Sequence, residues 1–321
     1  MRKRYIVPVL LMLLLAWGCA PKFKLFSQAT DPLSEYTLQG EGEAKILLVN
    51  VSGFLQDQPR SGLLRSKPGA VQELVSHLRR AARDKDIKAV VVKINSPGGT
   101  TTASDILYRE LMKHREKTGQ AVVALMMDVA ASGGYYTALA ADTIIAHPTT
   151  LTGSVGVILV RPKVVGLMDK IGVDVEVSKS GADKDMGSPF APATEKERRL
   201  FQDIIDDMAG RFHAVVRERR HPSEQAFAKI RTARIFTAAQ AKELGLVDKI
   251  GYMDDAFAEA RRLAGVDKAR VVAYRRDEYP DDNPYNTMST AEPGRAALLN
   301  MDVGHLLPPK AGFYYLWNPG W

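Results

Sequence analysis

The sequence predicts an α/β fold with a largely parallel sheet, and three observations carry that expectation. Short β-branched apolar runs alternate with stretches of helical spacing. Glycine-rich turns follow two of those runs directly. At 321 residues, 45% of them hydrophobic, the chain can bury one large core. Strands are expected at Ile46–Val51, Ile87–Ile94, Val122–Met127, Thr143–Ala146 and Val173–Val177, each an apolar run of strand length. Helices are expected at Val71–Arg83, Ala103–Lys117, Glu195–Arg219, Ala238–Leu244 and Asp254–Leu263, where apolar positions recur every three or four residues and the charges share the outer face.

The two ends differ from this middle. Arg2, Lys3 and Arg4 precede the apolar run Tyr5–Gly18, the order of an export signal. That run is shorter than the roughly 20 residues that span a bilayer. Cys19 follows it directly, as in a bacterial lipoprotein processing site, although Trp17 is bulky for its position. An uncleaved signal anchor is the other reading. Phe26–Glu43 is polar and without periodicity, a tether. Pro280–Trp321 carries many of the prolines and reads as an extension outside the sheet. The expected segments are therefore a lipoprotein-type signal peptide at 1–18, a lipid-anchored tether at 19–43, the folded domain at 44–275 and a Pro-rich C-terminal extension at 276–321.

Composition closes several function classes. The net charge of +7 falls to +4 without the three N-terminal cations, and no Lys/Arg stripe with interleaved aromatics appears. No nucleic-acid partner is expected. Cys19 is the only cysteine, which excludes disulfide, zinc-cysteine and iron–sulfur chemistry, and the histidines lack metal spacing. Neither a metal nor a cofactor is expected.

Three segments carry reactive chemistry. Asn95-Ser96-Pro97-Gly98-Gly99 leaves a strand and enters a helix, and its glycines allow close approach to bare backbone N–H groups. It lacks the lysine of GxxxxGK[ST] and is not GxGxxG. By itself it is equally a tight turn. Ala130-Ala131-Ser132-Gly133-Gly134-Tyr135-Tyr136 places a serine at the start of a helix, where the dipole favours an alkoxide; a helix-capping serine would look the same. It is not the G-x-S-x-G elbow, because Ala130 replaces the first glycine. Tyr135, Tyr136 and Met127 are candidates for the apolar walls of a site. Lys179-Ser180-Gly181-Ala182-Asp183-Lys184-Asp185-Met186-Gly187-Ser188-Pro189-Phe190 offers two lysines that in isolation would be surface cations.

Together these segments resemble the signal peptide peptidase A family, from about Ile46 to Gly251. The resemblance includes Thr152–Val157 (T-G-S-V-G-V) and Arg234–Asp248 (R-x-F-T-x-x-x-A-x-x-x-G-L-V-D). It implies a Clp-protease/crotonase-like fold of repeated β-β-α units and a serine protease with a Ser–Lys dyad. It assigns the nucleophile to Ser132, the general base to Lys184 (not Lys179), the hydroxyl that orients the lysine to Ser154, and the oxyanion hole to the N–H groups of Gly99 and Gly133. It also implies hydrophobic peptide substrates, remnant signal peptides among them, and a ring-shaped homo-oligomer whose neighbours share each site. With membrane lipid attached through Cys19, the catalytic domain would lie outside the cytoplasm, on the periplasmic face of a two-membrane bacterium. The chemistry is coherent: serine needs a base to take its proton, and a lysine serves as one once burial favours its neutral form.

Rival readings remain. His147 follows the nucleophile segment and could make a Clp-like Ser–His peptidase. A crotonase-type acyl-CoA enzyme shares the fold class but needs neither the serine segment nor an export signal. A non-catalytic peptide-binding scaffold would use the glycine loops alone.

Overall fold

In the computed structural model, residues 32–61, 66–276, 282–285 and 311–317 are described. The first half runs Ser34–Gln39 (β1), Lys45–Ser52 (β2), Arg60–Ser61 (β3), Ser66–Lys67 (β4), Ala70–Ala81 (α1), Ile87–Ser96 (β5), Gly98–Thr100 (β6) and Thr101–Thr118 (α2). Ala121–Ala131 (β7), Gly133–Ala138 (α3), Thr143–Ala146 (β8), Leu151–Gly153 (β9), Ile158–Val160 (β10) and Val165–Ile171 (α4) follow. Then come Glu195–Arg220 (α5), Glu224–Ile230 (α6), Ile235–Thr237 (β11), Ala238–Glu243 (α7), Lys249–Ile250 (β12), Met253–Ala264 (α8), Arg270–Arg275 (β13) and Gly312–Leu316 (β14).

Strands buried on both faces must be apolar at successive positions, which is why β2, β5 and β7 read as near-continuous hydrophobic runs. Leu47, Val49, Val90, Val92, Val122 and Ala124 point to one face, packed under α1, α2, α3 and α5. Ile46, Leu48, Val91, Val123 and Leu125 point to the other, against Phe257 and Ala260 of α8. The main sheet runs β1-β13-β2-β5-β7-β8-β12, with β9 paired to β7 and β11 to β9. Its ladders are parallel except β1–β13 and β9–β11. The α/β class with a largely parallel sheet is therefore as expected. A second sheet, β10-β14-β6, is antiparallel and stands beside the first.

Helix ends follow from local chemistry. Thr100 caps α2 by accepting from the Ala103 N–H, and Gly119 stops it in the left-handed conformation. Thr194 and Glu197 form a reciprocal capping box at the start of α5.

Three expectations are corrected. Val173–Val177 is not a strand: the segment is irregular, and Val173, Val175 and Val177 are 46%, 47% and 49% exposed. Apolar alternation makes a strand only where an edge is available to pair with, and the described chain offers none there. Residues 34–39, read as tether, form β1 on β13; a polar edge strand lacks the apolar signal. The C-terminal extension contributes β14 to the second sheet, although it stays outside the main one. Cys19 and the signal segment 1–18 lie outside the described residues. Among the described residues no helix is long and apolar enough to cross a membrane.

Candidate active site

The corner around Ser132 is assembled where β7 runs out of its partner β5 and pairs instead with β9. Ala130 lies opposite Thr152 and Ala131 opposite Gly153, and the Ser132 N–H donates to the Gly153 carbonyl at 2.8 Å. The Thr152 hydroxyl donates to Ala130 O at 2.6 Å and fixes this register. The chain then turns sharply. Ser132 has φ 51° and ψ −116°, an unusual conformation for a residue with a Cβ. Its carbonyl accepts from the Tyr136 N–H at 2.8 Å and starts α3. The Ser132 side chain is fully buried, and its Oγ has no hydrogen-bond partner among the described residues.

The Asn95–Gly99 turn packs against this corner. Asn95 Oδ1 accepts from the Val129 N–H at 3.0 Å, and the Ser96 hydroxyl donates to Gly53 O at 2.7 Å while accepting from the Gly98 N–H at 3.1 Å. A Cβ on Gly98 would stand 2.8 Å from the Gly133 nitrogen, and one on Gly99 would overlap the Leu55 carbonyl. A Cβ on Gly133 would collide with the Ser104 hydroxyl. These glycines are thus required by close backbone approach, the use suggested by the sequence. Gly98, not singled out at first, has φ 107° and faces Gly133 across the corner.

Ser154 is brought next to Ser132. It follows Gly153 in β9, is buried, has φ 50°, and its N–H donates to Arg234 O at 2.9 Å. The Arg234–Asp248 motif thereby gains a role, because β11 pairs with β9 and holds Ser154 in place.

Lys184 is not brought to Ser132 in the same way. It is exposed on a run of turns within 172–194, where its N–H donates to Gly181 O at 3.1 Å. Lys179 instead pairs with Asp185 at 2.6 Å, and Lys196 with Asp183 at 2.8 Å. Another lysine, Lys93, has its pKa lowered to about 8, by burial first and by the Arg275 charge second. Its Nζ donates to Pro284 O at 2.6 Å, and its register partner is Leu125, far before Ser132 along β7. It is tied to a loop, not to the serine.

His147 is engaged elsewhere. Its Nδ1 shares a hydrogen bond with the Thr149 hydroxyl at 2.9 Å, and its ring meets Tyr252 edge-on at 5.1 Å. Of the proposed apolar walls, Tyr135 is committed to the core, with its hydroxyl on Leu246 O at 2.8 Å. Met127 packs on the opposite face of the sheet. Tyr136 remains beside the corner, stacked on Tyr315 at 5.2 Å and held by Asp105 at 2.9 Å. No group of three or more His, Cys, Asp or Glu that could hold a metal occurs among the described residues.

Residues 114–267 match the model of peptidase family S49. A putative signal peptide peptidase SppA of Enterococcus faecium is 33% identical over 254 residues, which cover 79% of this chain and 74% of that protein. A putative protease of Methanocaldococcus jannaschii is 34% identical over 239 residues, 74% of this chain and 76% of that protein. Among solved structures, a ClpP1 protein of Listeria monocytogenes superposes with a TM-score of 0.42 at 17% identity, covering 65% of this chain and 93% of that one.

Proposed function

The chain belongs to peptidase family S49 and is a serine protease, and from that premise we propose a membrane-tethered endopeptidase that hydrolyses hydrophobic peptides, cleaved signal peptides above all, through Ser132 and Lys184. The observation that carries this reading is the Ser132 corner: a strained, buried serine with a free Oγ, facing the backbone of Gly98, Gly99 and Gly133. Strain of this kind persists only where the surroundings impose it, and it aims a side chain at one point in space.

In the proposed mechanism Ser132 Oγ attacks the scissile carbonyl carbon as Lys184 Nζ takes its proton. The N–H groups of Gly99 and Gly133 receive the oxyanion, each worth about 3 kcal/mol by analogy with measured donors. Lys184 then passes the proton to the departing amine. Water hydrolyses the acyl ester and restores Ser132. The Ser154 hydroxyl orients the lysine.

The second half of the proposal concerns where Lys184 comes from. Ser132 Oγ is unpartnered while Lys184 is exposed on a segment whose strand pattern finds no edge. We propose that a neighbouring copy supplies the lysine in a ring-shaped homo-oligomer, the closed form of a head-to-tail contact. Attachment through a lipidated Cys19 would place this ring at the membrane, outside the cytoplasm.

A serine-reactive aryl phosphonate should label Ser132 and no other residue, as peptide mapping will read. Ser132→Ala chains co-assembled with Lys184→Ala chains in equal amounts should regain roughly a quarter of native sites if neighbours share the dyad. Co-assembled but inactive mixtures would refute the sharing and leave the dyad chemistry intact.

A further inference from the structure

The strand β6 has two edges, and only one is used by the chain around it. The Leu55 N–H donates to Gly98 O and the Thr100 N–H to Leu55 O, both at 2.9 Å. Backbone groups alternate sides along an extended strand, so the Gly99 N–H and C=O face the other way. That second edge is taken by β14, antiparallel, with Tyr315 opposite Gly99 and Leu316 opposite Gly98. The Trp317 N–H donates to Pro97 O at 2.9 Å and extends the same ladder. The far edge of β14 pairs with Ile158–Val160. A single strand laid between two waiting edges is how an extended peptide is bound by a sheet.

The register matters most at Tyr315. Its carbonyl oxygen lies against Gly98, so that a Cβ there would overlap it, and 3.1 Å from the position of a Cβ on Gly133. The carbonyl therefore sits among Gly98, Gly99 and Gly133, beside buried Ser132, where a scissile carbonyl would be held. Side chains alternate along β14. Tyr315 enters a pocket: its ring stacks on Tyr136 at 5.2 Å, tilts against Phe212 at 4.9 Å, and its hydroxyl donates to Met208 O at 3.0 Å. Phe313 lies on the same side, 6.3 Å from Phe201. Tyr314 turns the opposite way, edge-on to Phe54 at 5.8 Å.

We propose that residues 312–317 occupy the protein's own peptide groove as a substrate-like strand, which defines the groove as specific for an extended peptide with an aromatic residue on the acyl side of the scissile bond. This rests on the serine protease reading above. The tail and an external peptide then compete for one place. The apparent affinity for substrate is lowered by the fraction of sites the tail covers. The Met208 carbonyl favours tyrosine, since a phenol satisfies it and a smaller side chain leaves it bare.

The test compares the assembled full chain with a chain ended after Ala311 and with Tyr315→Ala. The substrates are fluorogenic peptides identical except for Tyr, Phe or Ala before the cleaved bond. Removing the tail should lower KM for the Tyr peptide about tenfold with kcat within about twofold, and Tyr315→Ala should lower it less. Tyr and Phe peptides should exceed the Ala peptide in kcat/KM by at least about tenfold. A synthetic Gly-Phe-Tyr-Tyr-Leu-Trp peptide should inhibit competitively. Should the shortened chain fail to fold, Tyr315→Ala and the inhibitor peptide still decide. Unchanged KM in Tyr315→Ala together with no inhibition by the peptide would make β14 a purely structural strand and overturn the proposal. Phosphonate labelling separates the failures: equal labelling rates with and without the tail overturn this inference alone, whereas no labelling of either form overturns the serine chemistry beneath it.

Discussion

Around Ser132 the backbone is committed on every side: its N–H to Gly153, its carbonyl to Tyr136, and the facing glycines packed so closely that none admits a methyl group. Around Lys184 almost nothing is committed. The run from 172 to 194 is mostly exposed, Gly181 has no atom within 4 Å of where a Cβ would stand, and the ion pairs there are surface ones. The same chain thus encodes half of its proposed dyad in its core and leaves the other half to be placed by something else. A residue held by packing can be trusted to its position in one chain. A residue on an open loop gets its position from a contact.

The largest effect that probes this contrast is on activity. Lys184→Ala should cost about 10²–10⁴ in kcat/KM while the thermal midpoint moves by no more than about 1 °C, because an exposed side chain contributes little to stability. A midpoint lowered by several degrees would mean that Lys184 is structural. Next comes stability within the two regions. Gly99→Ala should destabilise by about 1–3 kcal/mol through overlap with Leu55, whereas Gly181→Ala should stay within about 0.5 kcal/mol; chemical denaturation reads both. Limited proteolysis of unassembled chains should then cut first between 172 and 190, and assembly should protect that stretch. A first cut within 121–160 would invert the comparison.

The smallest effect is on acid sensitivity. Glu259, buried, accepts from Arg262, Lys249 and Thr143, and its carboxyl is held down at about 2, by the Arg262 hydrogen bond first. A lowered folded value means its stabilisation is complete above the unfolded carboxylate range and fades as the pH falls from about 4.5 toward 2. Glu259→Gln should therefore lower the midpoint at pH 7, with the gap to the parent closing across that window. Asp185, exposed and lowered by its hydrogen bond to Lys179, should show no such closing when changed to Asn. Equal behaviour of the two would remove the distinction between core and loop.

What could be read from the sequence follows the same line. The runs that became β2, β5, β7 and β8 announced themselves because both faces are buried and both must be apolar. Ser132 and the Asn95–Gly99 turn were legible as motifs, since close backbone approach leaves glycine as the residue that fits. Val173–Val177 misled because its alternation describes a surface with no partner in the described chain. Ser34–Gln39 was hidden by polarity, and β6, β9 and β10 by their three-residue length. Gly312–Leu316 looked like a loose aromatic end; its meaning depends on a partner more than 200 residues away, Gly99, and no local pattern encodes that distance.

The backbone at Ser132 has a consequence for anyone who evolves this protein in the laboratory. A positive φ with a Cβ is penalised by about 1–3 kcal/mol, and a buried hydroxyl without a partner adds to that. Ser132→Gly removes both penalties at once. A selection that rewards heat resistance or yield alone will therefore enrich chains that have lost their nucleophile, and the most robust clones recovered will be the least able to cut.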